Sequence, residues 1–308
     1  MTEPRPRVLV LLATFNGARF LREQMDSILR QEGVDVRIVA SDDGSTDGTT
    51  EMLSEYAAAD PRVRVLPSVA PTGRSAANFA RLLRDAPGAP EELVAFADQD
   101  DVWRPGKLAR QARIIADGAG GVSSDVLAFD ASGATHLIRK AFPQREFDYL
   151  CESPGPGSTF LLTAELAQQC RAVLADPAGP AARMDYHDWL IYGVCRALGR
   201  RWVILDEPTL DYRQHDDNVM GANAGWRPRL QRLRLAASHW HRGQARLMCE
   251  VALAVAPDPQ QVRLRGIQQL FTDTGPRARI ALARRAGQLR RRPRDAAVLA
   301  AMVLGGLW

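Results

Sequence analysis

Residues 7–13, RVLVLLA, are apolar without a break after the first position, the pattern of a strand covered on both faces. Residues 18–31, ARFLREQMDSILRQ, change the period and set Phe20, Leu21, Met25, Ile28 and Leu29 on one helical face. The alternation then repeats. VRIVAS (36–41) predicts a strand, TDGTTEMLSEYAAA (46–59) a helix, RVRVLP (62–67) a short strand, SAANFARLLRDA (75–86) a helix and ELVAFA (92–97) a strand. Strands alternating with helices of this length predict βαβ units, an α/β fold with a mainly parallel sheet flanked by helices. Ligands of such sheets gather beyond the carboxyl ends of the strands. Three of those ends carry polar clusters: TFN after the first, DDGSTD after the second and DQDD after the strand ending at 97.

After residue 120 the period is less regular. GVSSDVLAFDASG predicts a strand and turn, and STFLLTAELAQQCRAVL a strand running into a helix. DYHDWLIYGVCRALG (185–199) predicts a helix closed by glycine, and RWVILDEPTLDYRQH a strand, a turn and a short strand. From Trp226 onward the pattern is helical and rich in arginine. Pro154, Pro156, Pro177 and Pro180 punctuate loops without marking a long linker.

Composition is that of an ordinary globular chain of 308 residues, and charge adds one asymmetry. From Arg227 to the end there are 16 Arg, no Lys and 4 acidic residues, +12, against −8 for residues 1–226. Cys151, Cys170, Cys195 and Cys249 are widely spaced with no CxxC pair, so free thiols are expected rather than a zinc site or disulfides. No secretory signal and no run long enough to cross a bilayer is read, so a cytoplasmic protein is expected.

The acidic clusters carry the candidate chemistry. DDGSTDGT (42–49) reads either as a turn with a capped helix start or as a ligand site, since a carboxylate there can accept a base imide N–H or ribose hydroxyls. Asp98 and Asp100 stand two apart in a tight loop, where hard carboxylate oxygens suit Mg²⁺ or Mn²⁺ shared with a substrate phosphate. On that reading the cation supplies the positive charge the acidic strand end lacks. The alternative is an exposed acidic turn with Asp101 capping the next helix.

Together, ATFNGARFLREQMDSILRQ, SDDGSTDGT, NF (78–79), FADQDDVWRPGKL, HDWLIYGVCRALG and YRQHDDNVMG closely resemble family 2 glycosyltransferases of the GT-A fold, above all their rhamnosyltransferase-like branch. The resemblance covers roughly residues 7–223. It implies a GT-A domain over 1–223, followed by an Arg-rich helical C-terminal extension over 224–308. It also implies a site. Ala13, Thr14 and Asn16 would line the nucleotide pocket, Asp43 would contact base or ribose, and Arg74 would meet base or diphosphate. Asp98 would lie near the ribose and metal, Asp100 would be the metal ligand, and His215 would complete metal or diphosphate binding. Asp188 would be the catalytic base and Trp189 would shape the acceptor pocket.

The residues also allow plainer roles. Asp188 suits the first turn of a helix, where acidic groups are favoured. Trp189 suits a core, and a lone His after a strand is usually packed or solvated. His239 and His241 lie two apart on a predicted helix and point apart, so they are set aside as ligands.

The implied activity is inverting, metal-dependent transfer of a sugar from a nucleoside-diphosphate donor, dTDP-L-rhamnose by branch resemblance, to a hydroxyl of a glycan or lipid-linked glycan in cell-envelope polysaccharide synthesis. Weighed against it are a nucleotidyltransferase and a non-catalytic sugar-nucleotide-binding scaffold. The basic tail is expected either to touch an anionic membrane surface or to pack on the body or a second copy in a homodimer. No recognition motif accompanies the arginines, so nucleic acid is not expected as a partner.

Overall fold

The computed structural model describes residues 4–89, 92–214 and 239–308. One mixed sheet runs through it in the order β3-β2-β1-β4-β8-β6-β9-β5, with β7 paired to β6. Its first half is parallel: β1 (Arg7–Thr14) lies between β2 (Asp35–Asp42) and β4 (Leu93–Ala97), and β3 (Val63–Val65) flanks β2. β8 (Leu161–Leu162) then runs antiparallel to both β4 and β6 (Gly121–Phe129). β9 (Trp202–Arg213) is parallel to β6, and β5 (Val102–Trp103) and β7 (Thr135–Ile138) close the edges antiparallel.

The unbroken apolar run of β1 follows from its two covered faces. Val8, Val10 and Leu12 point into one core, with residues of α1 (Ala18–Leu29), α2 (Thr49–Ala59) and α4 (Lys107–Ala116). Leu9, Leu11 and Ala13 point into the other, with α3 (Ser75–Asp85), α5 (Ala164–Val173) and α6 (His187–Ala197). The strand tips β1, β2 and β4 therefore end together at one rim of the sheet.

Two expectations change. WVILDEPTLDYR (202–213) is one continuous strand, not a strand, a turn and a short strand. Pro208 pairs with Asp125 at an irregularity of the β6–β9 ladder, where the missing N–H costs no regular bond. The helical reading from Trp226 falls partly on residues outside those described. Helix is present from Trp240, as α7 (Trp240–Val255), α8 (Asp258–Thr272), α9 (Pro276–Arg284), the short α10 (Ala286–Leu289) and α11 (Pro293–Leu304).

The boundary expected at 223/224 also lies outside the described residues. The helices after it share the core of the body. Met248, Cys249, Leu264, Phe271, Leu289 and Val303 are buried in the same cluster as Tyr149, Trp189 and Tyr192. Gly193 of α6 shows how closely they approach: a Cβ there would lie 2.2 Å from the Met248 sulfur. The apolar end of the chain folds back too, with Trp308 buried against Phe271 and its indole N–H donated to His241 Nδ1 at 2.7 Å. All four cysteines are buried and free.

Candidate active site

The three polar strand tips are stitched to one another by their own side chains. Asn16, at φ +48°, turns the chain after β1, a backbone conformation that asparagine tolerates better than most residues. Its Oδ1 accepts the Thr46 N–H at 2.8 Å, its N–H donates to Ser45 Oγ, and the next two amides donate to Thr49 Oγ1 and Asp47 Oδ2. The first and second loops thus form one unit. Ala13 and Thr14, at the end of β1, are buried behind it. The Thr14 hydroxyl donates to Asp42, whose other oxygen gathers the Gly44 and Ser45 amides. Asn78 Nδ2 donates to Ser41 O at 2.9 Å and to Thr14 O at 3.4 Å, tying α3 to both strand ends.

Asp43 is a loop holder here. One carboxylate oxygen accepts the Thr72 N–H at 2.6 Å, and the other accepts the Thr72 hydroxyl and the Gly73 N–H. Arg74, next in that loop, reaches the start of α6, where it pairs with Asp185 at 2.6 Å and donates to Met184 O. The segment 71–74 is thereby slung between the second strand tip and α6.

The DQDD loop is pinned residue by residue. Gln24 donates to the Asp98 carbonyl at 2.8 Å, and Gln99 clasps the backbone of Phe15. Arg213, at the end of β9, donates from Nε to Asp100 O at 2.9 Å and from its own backbone N–H to Asp101 Oδ1. It also pairs with Glu23 and lies over the rings of Phe20 and Phe129. Asp101 does not cap α4. The N-cap there is Gly106, and no side chain caps it. The Trp103 and Lys107 of this stretch stack, with Nζ 3.9 Å from the ring centre, and burial pushes the Lys107 ammonium down to about 7 while Asp101 opposes the shift. Positive charge thus lies beside the loop, from Lys107 near Asp101 and from the Arg213 guanidinium at the Asp100 carbonyl.

Even so, the loop remains over-acidic. Burial and the charges of Asp100 and Asp188 push Asp98 up to about 7. Asp101 is also raised, with burial first and then Asp100 and Asp98, and its Oδ2 is buried without a hydrogen-bond partner. Such a cluster fits a divalent cation. Among the described residues, no three His, Cys, Asp or Glu side chains form a metal cage. His215 lies outside the described residues.

Across from the loop stands Asp188, in the first turn of α6. Burial pushes its carboxyl up to about 6, against the lowering effect of the Ser153 hydroxyl, which donates to Oδ2 at 3.0 Å. Lys140 favours the charged form as well, and its own ammonium is pushed down by burial and by Arg291. His187 stacks on Phe79 with centroids 3.8 Å apart and is held neutral by burial, its pKa down at about 3. A Cβ on Gly157 would lie 2.1 Å from its ring nitrogen, so α6 is seated tightly beside the sheet. Trp189 is 4% exposed and its indole N–H donates to Tyr149 O at 2.8 Å. It thus packs into the core directly behind Asp188.

The structure brings Asp100 and Asp188 within electrostatic reach of Asp98. Ser153, Lys140, Lys107 and Tyr212 were missed from sequence. The Tyr212 phenol is pushed far up by burial and by Asp101, Asp98, Asp100 and Asp188 together, which sets it among all four carboxylates.

A sheet whose acidic strand tips face a half-buried carboxylate across one rim is the arrangement of a nucleotide-sugar enzyme of the GT-A fold, and the comparisons with known proteins agree. The family model described as "Glycosyl transferase family 2" matches residues 9–162. The dTDP-rhamnosyl transferase RfbG of Shigella flexneri is 34% identical over 249 residues, 80% of this chain and 85% of that protein. Among solved structures, S. aureus TarS (residues 1–349) superposes with a TM-score of 0.58 at 14% identity, over 98% of this chain and 90% of that one. The mannosyltransferase PcManGT from Pyrobaculum calidifontis, solved with GDP-Man and Mn²⁺, gives 0.53 at 19% identity over 99% and 75%. The chain belongs to glycosyl transferase family 2 and is a glycosyltransferase. Its likeness to a dTDP-rhamnosyl transferase agrees with the branch expected from the motifs.

Proposed function

We propose that this enzyme transfers L-rhamnose from dTDP-L-rhamnose, with inversion, to a hydroxyl of a glycan or lipid-linked glycan acceptor in cell-envelope polysaccharide synthesis. The observation that carries the reading is the opposition of Asp188 to the Asp98–Asp100 loop, close enough for the charge of Asp188 to raise Asp98. The name of the 34% identical relative supports the donor.

In this reading Asp100, with Asp98 beside it, would hold Mg²⁺ or Mn²⁺ together with the donor diphosphate, and His215 would complete that set. When bound, the cation stabilises the negative charge left on the departing diphosphate. Asp188, ionised above about pH 6, takes the proton of the acceptor hydroxyl as it attacks the anomeric carbon from the face opposite the leaving group. A single displacement inverts the configuration and needs no covalent nucleophile. Ser153 orients the base. Asp43 holds the 72–73 backbone, and the loop unit of Ala13, Thr14 and Asn16 forms the floor for the nucleotide. Arg74 holds its loop against α6, and Trp189 backs the acceptor side.

The test is donor hydrolysis across a panel of sugar nucleotides, with Mg²⁺, Mn²⁺ or EDTA, by the wild type and Asp100→Ala. Metal-dependent release of dTDP from dTDP-L-rhamnose, lost in the variant, is expected. Release from a different donor overturns the donor assignment. Pyrophosphate release from a nucleoside triphosphate overturns the reaction class, as does a complete lack of both turnover and donor-induced thermal shift.

A further inference from the structure

The charge of the C-terminal third is unevenly spent. Residues 276–308 hold eight arginines, no lysine and a single acidic residue, Asp295. Arg290 and Arg291 turn inward: Arg290 pairs with Glu152 at 3.8 Å, while Arg291 donates to Ser153 O and, through its backbone N–H, to the Glu152 carboxylate. Arg277, Arg284, Arg285, Arg292 and Arg294 stay exposed, and Arg292 has Asp295 at 3.8 Å.

Between those arginines lie apolar side chains that the fold leaves in water. Helix α11 buries Leu299 and Val303 and exposes the opposite stripe, Arg294, Val298, Ala301 and Leu304, with Leu307 just beyond it. Val298, Leu304 and Leu307 are 54%, 55% and 54% exposed. Helix α9 packs beside α11, buries Ala278 and Leu282, and exposes Arg277, Ile280 and Arg284. Leu282, Leu299 and Val303 enter the same core, so the outward stripes of the two helices adjoin.

We propose that this face of α9 and α11 binds the surface of an anionic bilayer, with Ile280, Val298, Leu304 and Leu307 entering the headgroup boundary and the exposed arginines meeting lipid phosphates. Charge complementarity selects that occupant. A second copy of the same patch would bring arginines against arginines. A nucleic acid would meet the arginines but has no use for the aliphatic stripe. At 12 residues, α11 is too short to cross a bilayer, and no described helix is long and apolar enough to do so. It therefore lies along the surface, apolar side down.

The bilayer surface stands whether or not the donor is dTDP-L-rhamnose. Only its bearing on a lipid-linked acceptor rests on the proposed function. The two meet through Arg291, which grips the Ser153 backbone while the Ser153 hydroxyl holds Asp188.

The experiment is co-sedimentation of the full chain with vesicles of phosphatidylcholine, alone or mixed with phosphatidylglycerol, at low and high salt. Binding to the mixed vesicles only, weakened by salt, is expected. Leu304→Glu with Leu307→Glu, and separately Arg284→Ser with Arg294→Ser, should each weaken it about ten-fold or more. The thermal melt and acceptor-independent donor hydrolysis should be unchanged in both pairs. Absence of binding, or wild-type binding by either variant pair, overturns the proposal. Loss with the arginine pair alone would mean simple polyanion attraction. A solution dimer that Leu304→Glu dissociates, with vesicles ignored, would make the patch a protein interface. Failure of donor hydrolysis in the wild type bears on the proposed function and leaves the vesicle result standing.

Discussion

Gln99 and Phe15 exchange two hydrogen bonds across 84 residues of chain: the Phe15 N–H donates to Gln99 Oε1 at 2.7 Å, and Gln99 Nε2 donates to Phe15 O at 2.8 Å. A side-chain amide is the group that can match both halves of one residue's backbone. The residue between Asp98 and Asp100 thus locks the DQDD loop to the loop after the first strand. Gln99→Glu keeps the shape but replaces the donor with an oxygen facing the Phe15 carbonyl, a loss of about 1–3 kcal/mol. A fall of roughly ten-fold or more in kcat/KM for metal-dependent donor turnover is expected, with weaker Mn²⁺ affinity. Wild-type kinetics in the variant would show that the clasp does not set the loop.

Asp188→Asn removes the proposed base without changing its volume. Turnover should drop by about 10²–10⁴ while donor binding, read by thermal shift, persists. In the wild type the rate should climb with pH through about 6, where Asp188 ionises, and then level off. The variant should lack that limb.

Ser153→Ala moves the same limb. A hydroxyl donating to a carboxylate favours its charged form, so removing the donor raises the carboxyl pKa further. The acid limb of the rate profile should shift to higher pH, and Lys140→Met should shift it in the same direction. A shift to lower pH in either variant would contradict the assigned roles.

Divalent cations should stabilise the protein more at high pH than at low. Asp98 titrates at about 7 in the folded chain against an ordinary 3.8. Between those values the native state binds more protons than the unfolded one, so the contribution of Asp98 is present at low pH and lost as pH rises through about 7. Asp101 is raised as well and acts in the same sense. Buried neutral His187 acts in the opposite sense, losing stability as pH falls below its ordinary 6.5. It does so with and without cation, so the difference in melting temperature isolates the carboxylates. That difference, measured with Mg²⁺ or Mn²⁺, should be larger at about pH 8 than at about pH 5.

Gly193→Val forces a side chain into the Met248 sulfur, with the new Cβ at 2.2 Å from it unless the helices part. Overpacking of this kind costs about 1–3 kcal/mol. The melting temperature should fall, and turnover with it, because α6 carries Asp188.

The sequence made the sheet and the acidic loops legible because their signals are local. The apolar run of β1 and the two-residue spacing of Asp98 and Asp100 need no knowledge of the rest of the chain. Ser153 was invisible for the opposite reason: it lies 35 residues before the carboxylate it serves, in a segment with no periodicity. Lys107 and Tyr212 look like ordinary helix and strand residues until folding sets them among the carboxylates. Pro208 misled the reading of β9, since a proline in a strand run signals a break, whereas here it occupies a ladder irregularity. Asp43 offered two roles, turn or ligand, and its bonds to Thr72 and Gly73 add a third, holding a distant loop.

The grip of Arg291 on Ser153 has a temporal side. Asp188 lies in α6, but the segment whose Ser153 hydroxyl holds it is fastened by an arginine more than 100 positions later, and α6 packs on a helix that begins at Trp240. A chain growing from its amino terminus can link the loops after β1 and β2 before the segment around residue 188 has its packing partners. The segment around residue 188 therefore takes up its final packing only once the helices after Trp240 are present to receive it.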